Sequence, residues 1–425
     1  VREKDFKSVV FQKLFSFDSQ RNWGFQDYER PCRVALYCKF YLKGVTMTSF
    51  SKAKINAGLL AFFMFIPSLT IPIKMFLQNG VIVWLLNLIL LVFSIYKNGI
   101  NKKFFGVFLS LNLLFLLNIL VVTHKNEVLS IYMEFLKIST IALILTLKEI
   151  DYGKFYRVWY ILGVANVFVW TFYINQLISS DIGYMFFGTS MTYSFSIILY
   201  RFLDKKNILD LLLLILTFVF VAVFANRGAI LACSILIPVL LYLKVKKHRI
   251  LLIFSTIPLT FFYLISDIKL NLINFIMYIN NILLDNDIKS YALIKLSNMF
   301  IHGLVESSSG RDGIFHQSFE LIKDGFLPRG VGYFQYVTGL VYPHNLLLDI
   351  FIVFGILGIP LIVLITIHII KFFKIERNFR KKDIVIILLI MSLTRLSLSS
   401  TFLYDTTFWV LVGVVLSTNV YKIRG

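Results

Sequence analysis

Three short stretches of this chain place phosphate-gripping and proton-accepting side chains beside apolar runs. Arg227 sits in Ala225-Asn226-Arg227-Gly228-Ala229, Arg311 follows Ser309-Gly310, and His344 lies in Tyr342-Pro343-His344-Asn345. A guanidinium is a planar, permanently charged fork that matches phosphate oxygens. A neutral imidazole beside an orienting neighbour such as Asn345 can take a proton near pH 7. Each residue also has a plainer reading. Arg227 could snorkel from a helix end, Arg311 could be a solvated loop charge, and His344 could be structural. Gly228 favours function at Arg227, because it allows close backbone approach.

Further polar residues attend these three. Arg395 lies in an apolar run among Thr394, Ser397, Ser399 and Ser400, so it is expected to face the bundle interior or a wet cavity and to contact phosphate or sugar. Arg329 is another candidate for substrate contact. It stands in the turn-rich Leu327-Pro328-Arg329-Gly330-Val331-Gly332. Gly330-Val331-Gly332 reads as a tight turn, since no Lys-Ser/Thr follows to make a nucleotide phosphate loop. Glu134 and Lys137 are three apart on a predicted helix and should pair there.

The elements that must hold these residues are membrane helices. The chain is 58% apolar with 43 Phe, and its mean hydropathy is +0.79. Apolar runs long enough to span a bilayer recur. Twelve spans can be drawn, near 55–73, 79–96, 104–123, 128–147, 155–178, 184–203, 208–225, 229–243, 250–265, 346–370, 383–402 and 404–421. The division is a cytoplasmic segment 1–54, helices over 55–265, a large external loop 266–345, and helices over 346–425. Within the loop, Ile314, Phe315, Ser318, Phe319 and Ile322 predict an amphipathic helix with Asp312 as N-cap. Residues 270–284 predict a second interfacial helix. Residues 1–46 are polar and basic; they read as an irregular cytoplasmic extension, or as sequence upstream of a start at Met47.

The net charge of +20 does not indicate nucleic acid, because the basic residues sit at helix ends. They report topology instead. With the N-terminus in the cytoplasm, Lys97, Lys102, Lys103, Lys148, Lys154, Arg201, Lys244 and Lys371–Lys382 fall inside. Arg227, Arg311 and His344 then share the outer side. Cys32, Cys38 and Cys233 form no metal-ligand spacing and no disulfide framework.

Three ordered stretches resemble the O-antigen ligase and polymerase superfamily of bacterial envelope enzymes. Asn226-Arg227-Gly228-Ala229 is similar to its Ser-Arg-Gly-Ala, with Asn in place of Ser. Ser309-Gly310-Arg311 followed by Gly325-Phe326-Leu327-Pro328-Arg329-Gly330-Val331-Gly332-Tyr333-Phe334 is similar to its Pro-x-x-Gly-x-Gly-x-Phe run. His344-Asn345-Leu346-Leu347-Leu348 with Gly355-Ile356-Leu357-Gly358 is similar to its His-Asn-x-x-Leu and Gly-x-x-Gly.

The resemblance implies an all-α polytopic bundle, similar to the GT-C architecture, in the bacterial inner membrane. It implies a glycosyltransferase that joins undecaprenyl-diphosphate-linked oligosaccharides at the outer face, without metal or other cofactor. Arg227 and Arg311 would grip the diphosphate and His344 would deprotonate the attacking hydroxyl. Arg395, Asn345 and Arg329 would contact substrate, and membrane lipid and a chain-length regulator protein would be partners. Polymerisation of repeat units is preferred to ligation onto lipid A core, because only the core motifs match. A lipid-linked oligosaccharide flippase is the remaining alternative. It explains the spans but neither the single dominant outer loop nor the lack of paired repeats.

Overall fold

The computed structural model describes residues 33–70, 81–179, 184–244, 266–286, 290, 293–294, 297–298, 301, 311–323 and 325–418. The side chains of 33–50, 98, 174–179, 184–185, 227, 266–270, 272 and 311 are outside that description. Two compact units divide the chain, 1–49 and 50–425; all contacts below belong to the second.

All regular structure among the described residues is helical. The helices are α1 (Arg33–Leu69), α2 (Val81–Asn98), α3 (Lys102–Val121), α4 (Lys125–Thr146), α5 (Tyr152–Ser179), α6 (Tyr184–Lys205), α7 (Ile208–Phe224) and α8 (Arg227–Lys244). Then follow α9 (Ser266–Asp285), α10 (Arg311–Lys323), α11 (Tyr333–Thr338), α12 (Leu346–Phe354), a 3-10 turn at Gly355–Leu357, α13 (Gly358–Ile375), α14 (Phe379–Leu398) and α15 (Thr406–Leu416).

Among the described residues, five segments are long and apolar enough to cross a membrane: Ser51–Leu69, Lys102–Val121, Lys125–Thr146, Tyr152–Tyr173 and Leu346–Ile375. Four shorter apolar helices accompany them, Val81–Lys97, Ile208–Phe224, Gly228–Lys244 and Thr406–Leu416. α6 coincides with the expected span 184–203, and the expected span 250–265 lies outside the described residues. α3 and α7 turn Leu109, Leu113, Leu120, Leu209 and Leu212 outward, more than half exposed. That is the surface expected of helices whose solvent is lipid.

Helix α4 joins one group of helices and α6 another. The first packs against α2, α3 and α15, while α6 packs against α5, α7 and α8, and α14 against α8 and α15. Trp159, Trp170, Phe135, Phe155, Phe187 and Phe195 are fully buried between them. Small polar side chains sew the helices together, as expected where lipid offers no hydrophobic drive. Asn166 Nδ2 donates to Ser194 Oγ at 2.9 Å and to Ser190 O at 3.2 Å, and Trp170 Nε1 donates to Ser190 Oγ at 3.1 Å. Asn56 Nδ2 ties α1 to Leu145 O at 2.9 Å. Gly413 is where α15 meets α4 most closely: a Cβ there would lie 1.8 Å from Thr146 Oγ1.

Two expectations are corrected here. Helix α1 begins at Arg33, inside the stretch expected to be irregular. Asp312 is not a cap but lies in the first turn of α10, which starts at Arg311. There an acidic side chain complements the helix dipole instead. The helix expected over 270–284 is α9, longer at its N-terminal end. The Glu134–Lys137 pair forms as read, and Lys137 Nζ also stands 3.9 Å over the Trp84 ring.

Candidate functional site

The start of α8 is set by Asn226. Helix α7 ends with Ala225 N donating to Val221 O at 3.1 Å. The Asn226 side-chain oxygen then accepts from Ala229 N at 2.9 Å. This is an N-cap, which places Arg227 at the first helical position. Ser and Asn cap about equally well, so the one departure from the similar Ser-Arg-Gly-Ala motif conserves its physical role.

The start of α8 abuts the last turn of α14. A Cβ on Gly228 would lie 3.6 Å from Ser399 Oγ and 3.7 Å from Thr394 O. One turn back, Arg395 Nε stands 3.0 Å from Asp405 Oδ2, with Asp405 wholly buried and Arg395 27% exposed. The other carboxylate oxygen of Asp405 accepts from Phe408 N at 2.9 Å and caps α15. Thus one buried carboxylate both starts a helix and holds the guanidinium. Arg395, Asn226, Gly228, Thr189, Thr192 and Thr407 line a cavity of about 20 Å³, room for roughly one water. Arg395, expected to face the bundle interior or a wet cavity, lines this small cavity.

His344 reaches the same place through Tyr342. The Tyr342 hydroxyl donates to Ser399 O at 2.8 Å. The Tyr342 and His344 rings meet edge to face, centroids 4.5 Å apart. His344 has φ +55°, a left-handed backbone that a non-glycine residue adopts only under constraint. Pro343 before it and the cap after it supply that constraint. Beneath, Thr401 Oγ1 donates to Asp349 Oδ2 at 2.6 Å and pins α12 to the 399–405 loop.

Asn345, expected to contact substrate, is the N-cap of α12. Its side-chain oxygen accepts from Leu347 N at 2.9 Å and Leu348 N at 3.3 Å. Arg329, also expected to contact substrate, makes contacts within its own loop. Its Nη1 donates to Tyr333 Oη at 2.9 Å and its backbone N to Ile352 O at 3.3 Å. The tight turn forms as expected, with Gly330 at φ +89° and Gly332 at φ +81°. Gly355, at φ +55°, lets this loop lie directly on the α12–α13 junction, where a Cβ would sit 2.3 Å from Phe326 O.

Arg227 and Arg311 are placed by backbone, each the first residue of its helix. Helix α10, which Arg311 opens, packs on α12, which follows His344. Ser290 Oγ donates to Val223 O and so is tied to the end of α7. No group of His, Cys, Asp or Glu among the described residues could hold a metal ion.

The sequence reading missed Asp405 and His124. Asp405 is an acidic residue three before Phe408 in front of an apolar run, which is itself a cap signature. His124 Nε2 lies 3.0 Å from Val331 O and its ring stacks on Tyr336 with centroids 5.4 Å apart. Nothing local in the sequence signals that contact.

The chain was compared with known proteins. No family model, curated protein or solved structure matches it. What carries function is therefore the geometry: a half-buried guanidinium, the first turn of α8 and an imidazole at one end of the bundle. Of these, the first turn of α8 is the part that favours an anion, since Asp405 offsets the Arg395 charge.

Proposed function

We propose that the chain is a membrane glycosyltransferase that polymerises undecaprenyl-diphosphate-linked oligosaccharide repeat units at the outer face of the inner membrane. The observation that carries the reading is the continuous contact from the first turn of α8 through Ser399 to Tyr342 and His344. It joins the first and third motif stretches, which are far apart in sequence. The second joins them through α10 packed on α12.

In this reading Arg227 and Arg311 neutralise the diphosphate as it leaves, doing electrostatically what a metal ion does in other transferases. His344 accepts the proton from the attacking sugar hydroxyl, so the new glycosidic bond forms as the bond to the diphosphate breaks. The cavity beside Arg395 holds about 20 Å³, too small for a diphosphate. The leaving group therefore belongs at its mouth, with Arg395 fixed in place behind it by Asp405. The lipid tail lies along the exposed apolar helices.

The test supplies purified full-length protein with lipid-linked repeat units alone, in a chelator and without nucleotide. Growth of a ladder of longer lipid-linked chains supports polymerisation. Product only when lipid A core is added would make the protein a ligase instead. No transfer under either condition, with folded protein, would remove the enzymatic reading.

A further inference from the structure

The far end of the bundle from His344 holds a second site. There the α2–α3, α4–α5 and α13–α14 connections and the end of α15 surround an open polar cleft of about 1040 Å³. Lys103, Lys148, Arg377, Arg380 and Lys381 line it against three carboxylates, Glu149, Asp151 and Glu376. Two of those carboxylates are already committed. Glu376 accepts from Arg377 N and Asn378 N, each at 3.0 Å, and pairs with Lys381 Nζ at 3.0 Å. Asp151 accepts from Lys154 N at 3.0 Å and caps α5. The Arg380 guanidinium lies over Gly153 beside Asp151, and Arg377 and Arg380 are both exposed. The cleft thus keeps an excess of positive charge. Burial pulls the Lys148 ammonium down to about 8, so its charge is held there against a desolvation penalty that an anion would relieve.

We infer that this cleft binds the phosphate of an anionic membrane phospholipid. Phosphate is the chemistry that two arginine forks and lysines recognise together. The lipid source follows from position. The cleft lies where connections emerge from spanning helices, the level of headgroups, and Phe379, 79% exposed, stands on its lining between the two arginines. An exposed aromatic between cations suits a headgroup boundary and has no use for a soluble phosphate. The site is independent of the glycosyl-transfer reading, since it uses none of the residues that carry it.

Native mass spectrometry of the full chain in detergent tests this. Phosphatidylglycerol and phosphatidylcholine of matched acyl chains are titrated separately, and inorganic pyrophosphate is the soluble competitor. Wild type should prefer phosphatidylglycerol. The Arg377→Ala/Arg380→Ala double variant should lose roughly thirtyfold of that preference, about one surface cation's worth per arginine. Arg377→Lys/Arg380→Lys should retain most of it, which separates lost charge from lost fold. Lys205→Ala/Lys206→Ala, which removes equal charge outside the cleft, should retain it fully. Equal binding of the two lipids to wild type, or equal loss in the two alanine pairs, overturns the site. Displacement of the lipid by equimolar pyrophosphate makes the ligand a soluble phosphate and overturns the lipid assignment.

Discussion

Replacing Asp405 separates two jobs done by one carboxylate. Its Oδ1 caps α15 through Phe408 N at 2.9 Å, and its Oδ2 stands 3.0 Å from Arg395 Nε. Asp405→Asn keeps a good cap and removes the charge. Asp405→Ala removes both. Breaking a buried ion pair costs about 3–5 kcal/mol when the survivor is fully buried. Arg395 is 27% exposed, so water screens part of that and the expected loss for Asn is about 2–3 kcal/mol. The lost cap adds about 1 kcal/mol for Ala. Reversible unfolding in mixed micelles should rank wild type above Asn, and Asn above Ala. A double-mutant cycle with Arg395→Gln should return a coupling of about 1–3 kcal/mol. Equal stability of the Asn and Ala variants would refute the cap, and a coupling near zero would refute the pair.

Three further outcomes follow from contacts already described. Gly413→Ala forces a methyl to within 1.8 Å of Thr146 Oγ1, and should destabilise by roughly 1–3 kcal/mol. Thr146→Ala in the same chain should recover most of that in thermal unfolding, and no recovery would contradict the close approach. Lys148 donates to Ser94 O at 3.0 Å, and burial brings its ammonium from 10.5 to about 8. The folded protein releases this proton more readily than the unfolded chain, so the lysine costs stability below pH 8 and that cost fades toward pH 10.5. Acylation of Lys148, followed by peptide mass mapping, should be half-maximal near pH 8; a midpoint near 10.5 would deny the burial. Single cysteines at 311 and 344, in a chain without its native cysteines, should react with an impermeant maleimide in intact cells. Cysteines at 377 and 380 should react only after permeabilisation, and the reverse pattern would invert the topology.

The helical architecture was legible because apolar runs of spanning length have few other uses in a chain of this hydropathy. The site was legible where residue type and chain position agree. Arg395 was expected to face the bundle interior or a wet cavity on its serine-rich surroundings, and it lines a small cavity. The cap role of Asn345 was not read, because it rests on the backbone at 347 and 348, which the residue type alone does not reveal. The positive helix ends were read for topology, yet several also hold the bundle together. Arg201 Nε lies 3.3 Å from the buried Asp210, and Lys244 Nζ lies 3.0 Å from Asp204 and 3.2 Å from Asp383. Those partners sit on other helices, at separations no local pattern encodes. The 33–46 stretch was expected to be irregular as part of a basic N-terminal segment, although its own residues, Val34, Ala35, Leu36, Phe40 and Leu42 among them, are mostly apolar and adequate helix formers.

Turnover of lipid-linked repeat units by wild type and by His344→Ala, measured as released undecaprenyl diphosphate, bears most directly on the imidazole. The wild-type chain should release one diphosphate for every bond formed. The variant, folded and inserted alike, should be slower by about 10²–10⁴-fold, the usual loss of a general base. Undiminished release by His344→Ala would contradict a catalytic imidazole at the head of α12.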